Sequence, residues 1–353
     1  MSALIYGAYG YTGRLIAREA VNRGLDPILA GRDDDSLSDL GRALDLPTRA
    51  VSLSTPRRLR AAIDDASVVL HCAGPYVHTA PPMVAACLDT GTHYLDLTGE
   101  VDVFRALADR SADAEAAGCM LLPGIGFDVV PSDCLGRFVA GEDGATTLEV
   151  ALYAKGTVSR GTLKTLIEQM GQGGLVRREG RLREVPPGWT SRSVDFGDRR
   201  RRVISIPEGS VVTSGWSTNV PNVTAYLALP SAVQSLLRAS RHVRRFLNWS
   251  PLKNLLRQLA DRRRAGPTAA ERQQGRTIVW ASARRPDEEP VTARLNGPEA
   301  YTFTARAATE ALLRVLDGTA PAGYQTPSTA FGADFVLDVD GTSRTVVEGA
   351  PAA

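Results

Sequence analysis

Ala3-Leu4-Ile5-Tyr6-Gly7-Ala8-Tyr9-Gly10-Tyr11-Thr12-Gly13 stands at the start of the chain. Its first four residues form an apolar run that reads as a buried strand. From Thr12 to Asn22, Leu15, Ile16 and Ala20 share one helical face. Between the two lie three glycines, each three residues after the last. Small residues here let the backbone approach a diphosphate, and the new helix turns N–H groups and the positive end of its dipole toward it. The spacing is Gly-x-x-Gly-x-x-Gly, with the first glycine one place earlier than in the usual Gly-x-Gly-x-x-Gly and Ala8 following it. An ordinary tight turn is the bland alternative. The turn's place between a strand and an amphipathic helix, with a second strand on schedule, favours a nucleotide cradle. Gly7, Ala8, Gly10, Tyr11, Thr12 and Gly13 are the candidate cofactor-binding residues.

Outward from this turn the chain alternates apolar runs with helical patterns. Strands are expected at 27–30, 49–53, 67–72, 93–97 and 119–122, with helices at 36–44, 55–63, 82–90 and 101–117. That alternation implies a doubly wound parallel sheet, an α/β Rossmann domain. After Gly124-Ile125-Gly126-Phe127-Asp128 the pattern changes to strand-like runs at 148–154, 203–206, 223–229 and 277–281, then a helix at 302–316. A second α+β domain with a mixed or antiparallel sheet is expected. The boundaries read as 1–128 plus about 320–353 for the Rossmann domain, and 129–319 for a substrate and dimerisation domain.

Bulk properties exclude several functions. A length of 353 residues fits two domains, and 43% hydrophobic with 23% charged residues is ordinary for a globular protein. A net charge of +2 asks for no nucleic-acid partner. Cys72, Cys87, Cys119 and Cys134 lie far apart, which fits reduced thiols better than a disulfide framework or a zinc ribbon. The four histidines show no metal-ligand spacing. Without a signal-like start or a long apolar run, a soluble cytoplasmic protein is expected.

Other redox chemistries are tested by their required residues. No tyrosine has lysine four positions later, so the short-chain dehydrogenase Tyr-x-x-x-Lys dyad is absent. Cys134 is the only nucleophile candidate near the domain junction, and reads better as a buried helix residue. The end of the second strand, Ala30-Gly31-Arg32, presents a cation for a ribose 2′-phosphate, so NADP is expected ahead of NAD. Asp33, Asp34 and Asp35 read as a helix start, with a ribose 2′-hydroxyl acceptor as the alternative.

Several segments together resemble the saccharopine dehydrogenase-like oxidoreductase family, and within it the bacterial branch that includes trans-acting enoyl reductases. They are the Gly7–Gly13 turn, Ala30-Gly31-Arg32, Cys72-Ala73-Gly74-Pro75-Tyr76, Tyr94 to Glu100, Pro123 to Asp128, Val220-Pro221-Asn222-Val223, Gln325-Thr326-Pro327-Ser328 and Phe331 to Phe335. The resemblance implies that Cys72, Ala73, Gly74, Pro75 and Tyr76 run beside the nicotinamide. Their position beyond the fourth strand supports this independently. Tyr76 either bonds a substrate or packs on the ring. Asp128 either borders the substrate, as in the family's Gly-x-Asp-Pro segment, or caps the next helix. Here Val129 replaces that proline, which weakens transfer of an amino-acid substrate. Tyr76 and Asp128 are the catalytic candidates; no metal is expected.

Between Ser231 and Arg264, leucines alternate with arginines. This reads as a packing helix with a wet basic face, or as a landing surface for an acidic carrier protein or an anionic membrane. The run Arg199–Arg202 reads as an exposed loop. The expected function is hydride transfer from NADPH to a C=C or C=N bond of a small or carrier-bound substrate, in a chain that can form a homodimer. The alternative is a non-catalytic Rossmann scaffold docking on lipid or protein through the basic helix.

Overall fold

The computed structural model describes residues 2–142, 144–169, 173–239 and 250–348. The chain divides into two units, one from Met1 to Val130 with Tyr301 to Asp340, the other from Pro131 to Ala300 with the residues from Gly341 on.

In the first unit, six strands follow one another: β1 (Ala3–Tyr6), β2 (Ile28–Gly31), β3 (Thr48–Ala50), β4 (Val68–His71), β5 (His93–Asp96) and β6 (Met120–Leu122). With Gly323–Tyr324 they form a seven-stranded sheet, ordered 323–324, β6, β5, β4, β1, β2, β3. Every pairing is parallel. β1, β2 and β4 are buried throughout, as expected where helices cover both faces. The intervening helices are α1 (Tyr11–Asn22), α2 (Asp34–Leu44), α3 (Pro56–Ile63), α4 (Tyr76–Thr90), α5 (Val101–Ala108) and α6 (Ser111–Ala116). The chain reverses its direction of travel across the sheet between β1 and β4, and in such sheets ligands bind outside the carboxyl ends of those strands. The expected α/β Rossmann sheet is present.

Two helices depart from the sequence pattern. α4 begins at Tyr76 rather than at Pro82, and Pro81 and Pro82 lie inside it. Glu100 satisfies the amides that open this helix, as described below. The expected helix 101–117 is two helices. The amides of Asp109 and Arg110 close α5 onto Arg105 and Leu107. Ser111, opening α6, accepts the Tyr324 amide of the edge strand at 3.0 Å.

The second unit carries β7 (Thr147–Lys155), β8 (Gly174–Arg178), β9 (Arg181–Val185), β10 (Ser191–Asp195), β11 (Arg200–Ser205), β12 (Asn222–Ala228), β13 (Arg276–Arg284) and β14 (Val291–Pro298). They form a sheet ordered β10, β11, β12, β7, β13, β14 and 343–348, with the β8–β9 hairpin joined through β12. β12 and β7 are parallel and the other pairings antiparallel, so the sheet is mixed. Ala151, Val194, Phe196, Val203, Tyr226, Ile278 and Trp280 pack one core of it.

Three expectations about the remaining segments are corrected. The helix Ala300–Leu316 packs in the first unit, where Glu310 pairs with Arg23 at 2.9 Å and Tyr301 meets Tyr11 edge-on. Residues 343–348 extend the second sheet through β14 instead of returning to the first unit. Arg200–Arg202 belong to β11, and Arg201 stacks 3.8 Å over the Tyr153 ring while pairing with Asp198. The basic segment contributes helices Ser231–Ala239 and Ser250–Asp261. Its arginines at 241, 244 and 245 lie outside the described residues. No helix among the described residues is long and apolar enough to cross a membrane.

Candidate functional site

The bends after β1 and β4 meet at the point where the strand order reverses. Tyr6 and His71 end the two strands in register, and the Cys72 amide donates to the Tyr6 carbonyl at 2.8 Å. Gly7 follows with φ +80°, and a Cβ there would sit 2.8 Å from the Ala73 Cβ. Only glycine meets both conditions. A Cβ on Gly13 would sit 2.4 Å from the Gly7 carbonyl oxygen, so this glycine lets α1 approach the bend. The Gly7 and Ala8 amides bond the Ala30 carbonyl at 2.8 and 3.3 Å, tying the bend to β2. Gly7, Ala8 and Gly13 are buried, while Gly10, Tyr11 and Thr12 are partly open.

Two helix starts of the first unit are filled by carboxylates of the chain, while α1, like α3, α5 and α6, has no side-chain cap. Asp33 caps α2 by accepting from the Ser36 amide at 2.8 Å. Glu100 accepts from the amides of Tyr76 and Val77 at 2.9 and 2.8 Å, filling the start of α4 with its own carboxylate. No side chain caps α1. Its first turn faces the bend with its dipole uncompensated, which suits a diphosphate.

Of the carbonyl-side residues, Cys72 and Ala73 are partly open, and Gly74 and Pro75, joined by a cis bond, are exposed. Burial and the nearby Asp96 push the Cys72 thiol well up, so it is not an activated nucleophile. Cys134 is fully buried on the helix Val130–Ala140. No cluster of metal-ligating side chains occurs among the described residues.

Tyr76 turns inward. It is buried, its hydroxyl donates to the His71 carbonyl at 3.3 Å, and its ring meets the His71 ring edge-on. As the first residue of α4, Tyr76 thus sets its hydroxyl on the end of β4.

Beneath the bend lies a buried polar network. Asp96 ends β5 and accepts from the amides of Thr98 and Gly124, each at 2.9 Å, and from the Tyr94 hydroxyl at 2.8 Å. The same hydroxyl lies 3.3 Å from His71 Nδ1. Burial pushes the Asp96 carboxyl up to about 6 against these bonds, and lowers His71 to about 3, so His71 is neutral. Asp96 therefore braces the loops after β5 and β6.

Asp128 stands on the second of those loops. It is exposed on one side, with the position of a Gly99 Cβ 3.3 Å from its Oδ2. Protein packed around its other side raises the carboxyl above its ordinary value. The loop is held by Thr304, whose hydroxyl accepts from the Phe127 amide at 3.1 Å. Asp128 is thus the one catalytic candidate that meets solvent.

Arg32 follows β2, exposed, with no hydrogen bond or ion pair among the described residues. The Asp33 carboxylate beside it is engaged as a helix cap, and the Ser36 amide holds it below its usual range. Sequence reasoning did not single out Glu100 or Tyr9. Glu100 could have been suspected from Thr98-Gly99-Glu100 beyond a strand. Tyr9 lies in the glycine turn, and its ring occupies the space that a Gly31 side chain would need, 2.6 Å from that Cβ position.

Residues 3–122 match the family model described as saccharopine dehydrogenase NADP binding domain, bearing out the resemblance carried by the motifs. The chain is 39% identical over 138 residues to the trans-acting enoyl reductase of Mycobacterium leprae, covering 37% of this chain and 33% of that protein. It is 35% identical over 185 residues to the trans-acting enoyl reductase of Mycobacterium tuberculosis, covering 47% and 44%. These matches span less than half the length of either relative. Among solved structures, saccharopine dehydrogenase (L-Glu forming) from Saccharomyces cerevisiae aligns with TM-score 0.63 and 13% identity, over 98% of this chain and 100% of that one. The homospermidine synthase of Legionella pneumophila, solved with NAD, aligns with TM-score 0.64 and 7% identity, over 98% and 91%. At such identities the likeness is one of fold.

Proposed function

We propose, with the saccharopine dehydrogenase-type NADP-binding domain of residues 3–122 as the premise, that this protein is an NADPH-dependent reductase. Its substrate is an unsaturated acyl group, a C=C bond beside a thioester carbonyl, presented on a carrier or as a small molecule. The observation that supports the reading is the bend itself: Gly7, at φ +80°, packs against Ala73 with no space for a side chain, and α1 starts just beyond it with no side-chain cap. The enoyl class is favoured over an imine by the names of the two mycobacterial relatives and by Val129, where the saccharopine-type motif has proline.

The bound cofactor supplies hydride; the chain supplies placement and proton control. The start of α1 holds the diphosphate, and Arg32 takes the 2′-phosphate. The exposed backbone of Gly74 and Pro75 supports the reacting end. Asp128, with its raised carboxyl, holds the proton that a reduced C=C bond must gain.

The test combines NADPH binding, followed by nucleotide fluorescence, with NADPH oxidation by enoyl thioesters and cyclic imines. Arg32→Asp is expected to weaken NADPH by about tenfold, the worth of one charge-assisted contact, and to leave NADH unchanged. Unchanged preference refutes the cofactor assignment. Asp128→Asn is expected to lower turnover about tenfold at constant NADPH affinity, water replacing part of a proton donor's contribution at this open position. Full turnover in Asp128→Asn removes Asp128 from the mechanism. Tight NADPH binding with no turnover on either substrate class favours the scaffold alternative.

A further inference from the structure

We propose that the Tyr9 hydroxyl recognises the ribose 2′-phosphate together with Arg32, making Tyr9 a second determinant of NADPH over NADH; this rests on the dinucleotide reading above. The ring is fixed where the bend meets the end of β2. Its Cε1, Cδ1 and Cζ lie 2.6, 3.2 and 3.5 Å from the position of a Gly31 Cβ, so Gly31 is the slot into which Tyr9 fits. The backbone under the ring is anchored from both sides. The Ala8 amide bonds Ala30, and Arg14 Nε donates to the Tyr9 carbonyl at 2.8 Å. A ring held this way has little rotamer freedom left to lose on binding.

The Tyr9 hydroxyl makes no hydrogen bond among the described residues, and Arg32 likewise stands without a partner there. Both act electrostatically on Tyr6, whose hydroxyl donates to the Val51 carbonyl at 3.0 Å beside β3. Arg32 favours the ionised form of Tyr6, Tyr9 opposes it, and burial outweighs both. The Tyr9 ring lies against Gly31, the residue before Arg32, so two donors without hydrogen-bond partners among the described residues, one neutral and one cationic, belong to the end of the second strand. The carboxylate that would compete for Arg32, Asp33, is turned to the Ser36 amide. A phosphate monoester accepts from both donors, whereas a ribose hydroxyl offers one acceptor and no charge.

Isothermal titration with adenosine 2′,5′-bisphosphate and with ADP isolates this contact, because the two probes differ only in where their second phosphate sits. Tyr9→Phe keeps the ring in its slot and removes only the hydroxyl. It is expected to weaken the 2′,5′-bisphosphate by about fivefold and leave ADP within about twofold. In the double variant with Arg32→Gln, the combined loss is expected to be smaller than the product of the single losses, since both donors serve one group. Equal weakening of both probes, or no weakening of either, overturns the role of Tyr9 while leaving the dinucleotide site standing. If the unaltered protein binds neither probe, the dinucleotide reading falls and this inference with it.

Discussion

Gly13→Val is expected to abolish dinucleotide binding and to lower the melting temperature by about 5–10 °C. At this position a Cβ would lie 2.4 Å from the Gly7 carbonyl oxygen and 2.9 Å from both the Ala8 Cα and its carbonyl oxygen. All three neighbours are backbone, so no side-chain rotation can relieve the overlap. Either α1 moves off the bend or the bend moves off β1. Overpacking of this kind costs about 1–3 kcal/mol, and a unit of this size loses about 2–4 °C per kcal/mol. Binding suffers more than stability, because the first turn of α1 and the bend must both face the diphosphate. A loss of about 100-fold or more in NADPH affinity is expected, from several weakened charge-assisted bonds. Gly10→Ala gives the contrast. Its Cβ would meet only the Gly7 carbonyl oxygen, at 3.2 Å, with the backbone in an ordinary extended conformation, and a smaller loss is expected. Wild-type NADPH affinity in folded Gly13→Val protein, measured by fluorescence titration beside its thermal unfolding, would show that the bend is not the cradle.

The same bend shows what could be read from the sequence and what could not. β1, β2 and β4 are covered on both faces, so each is a continuous apolar run that ends at a glycine or a loop. Periodicity and glycine spacing are local signals, and they located the sheet and its switch point. The start of α4 is set by Glu100, 24 residues beyond Tyr76, and no local pattern records that two amides are satisfied from there. Tyr76 opens that helix with its hydroxyl on the His71 carbonyl, a contact that no local pattern records either. Arg199–Arg202 misled in a similar way. A run of arginines reads as solvated until Tyr153 and Asp198, neither predictable from the run, supply Arg201 with a ring and a carboxylate. Tyr9 carries no signal of its own in the glycine spacing; its ring accounts for the glycine at residue 31, a contact set by the fold.

Asp96 provides the other large effect, and its sign depends on pH. The folded protein raises this carboxyl to about 6 from an ordinary 3.8, chiefly by burial. A carboxyl raised in the folded state contributes stability below its unfolded value and loses that contribution as pH rises through the folded value. The window therefore runs from about pH 4 to pH 6, and the two-unit shift corresponds to about 3 kcal/mol. Asparagine imitates the protonated acid. Its oxygen can take the Thr98 and Gly124 amides, while its NH2 faces a Tyr94 hydroxyl able to turn and accept. Wild type is accordingly expected to fall against Asp96→Asn by about that 3 kcal/mol between pH 4 and pH 8, read from denaturant unfolding at each pH. Parallel profiles would mean that Asp96 does not titrate in this range. Alanine tests the brace itself. It leaves two buried amides and a tyrosine hydroxyl without their acceptor, at about 1–3 kcal/mol each, so a loss on the order of 4 kcal/mol is expected across the whole pH range. The loops that Asp96 joins carry Gly99 and Asp128, so relaxing them moves the solvent-facing Asp128 carboxylate of the proposed site. Asp96→Asn retains the brace and should retain turnover; Asp96→Ala should lose turnover even at temperatures where it remains folded.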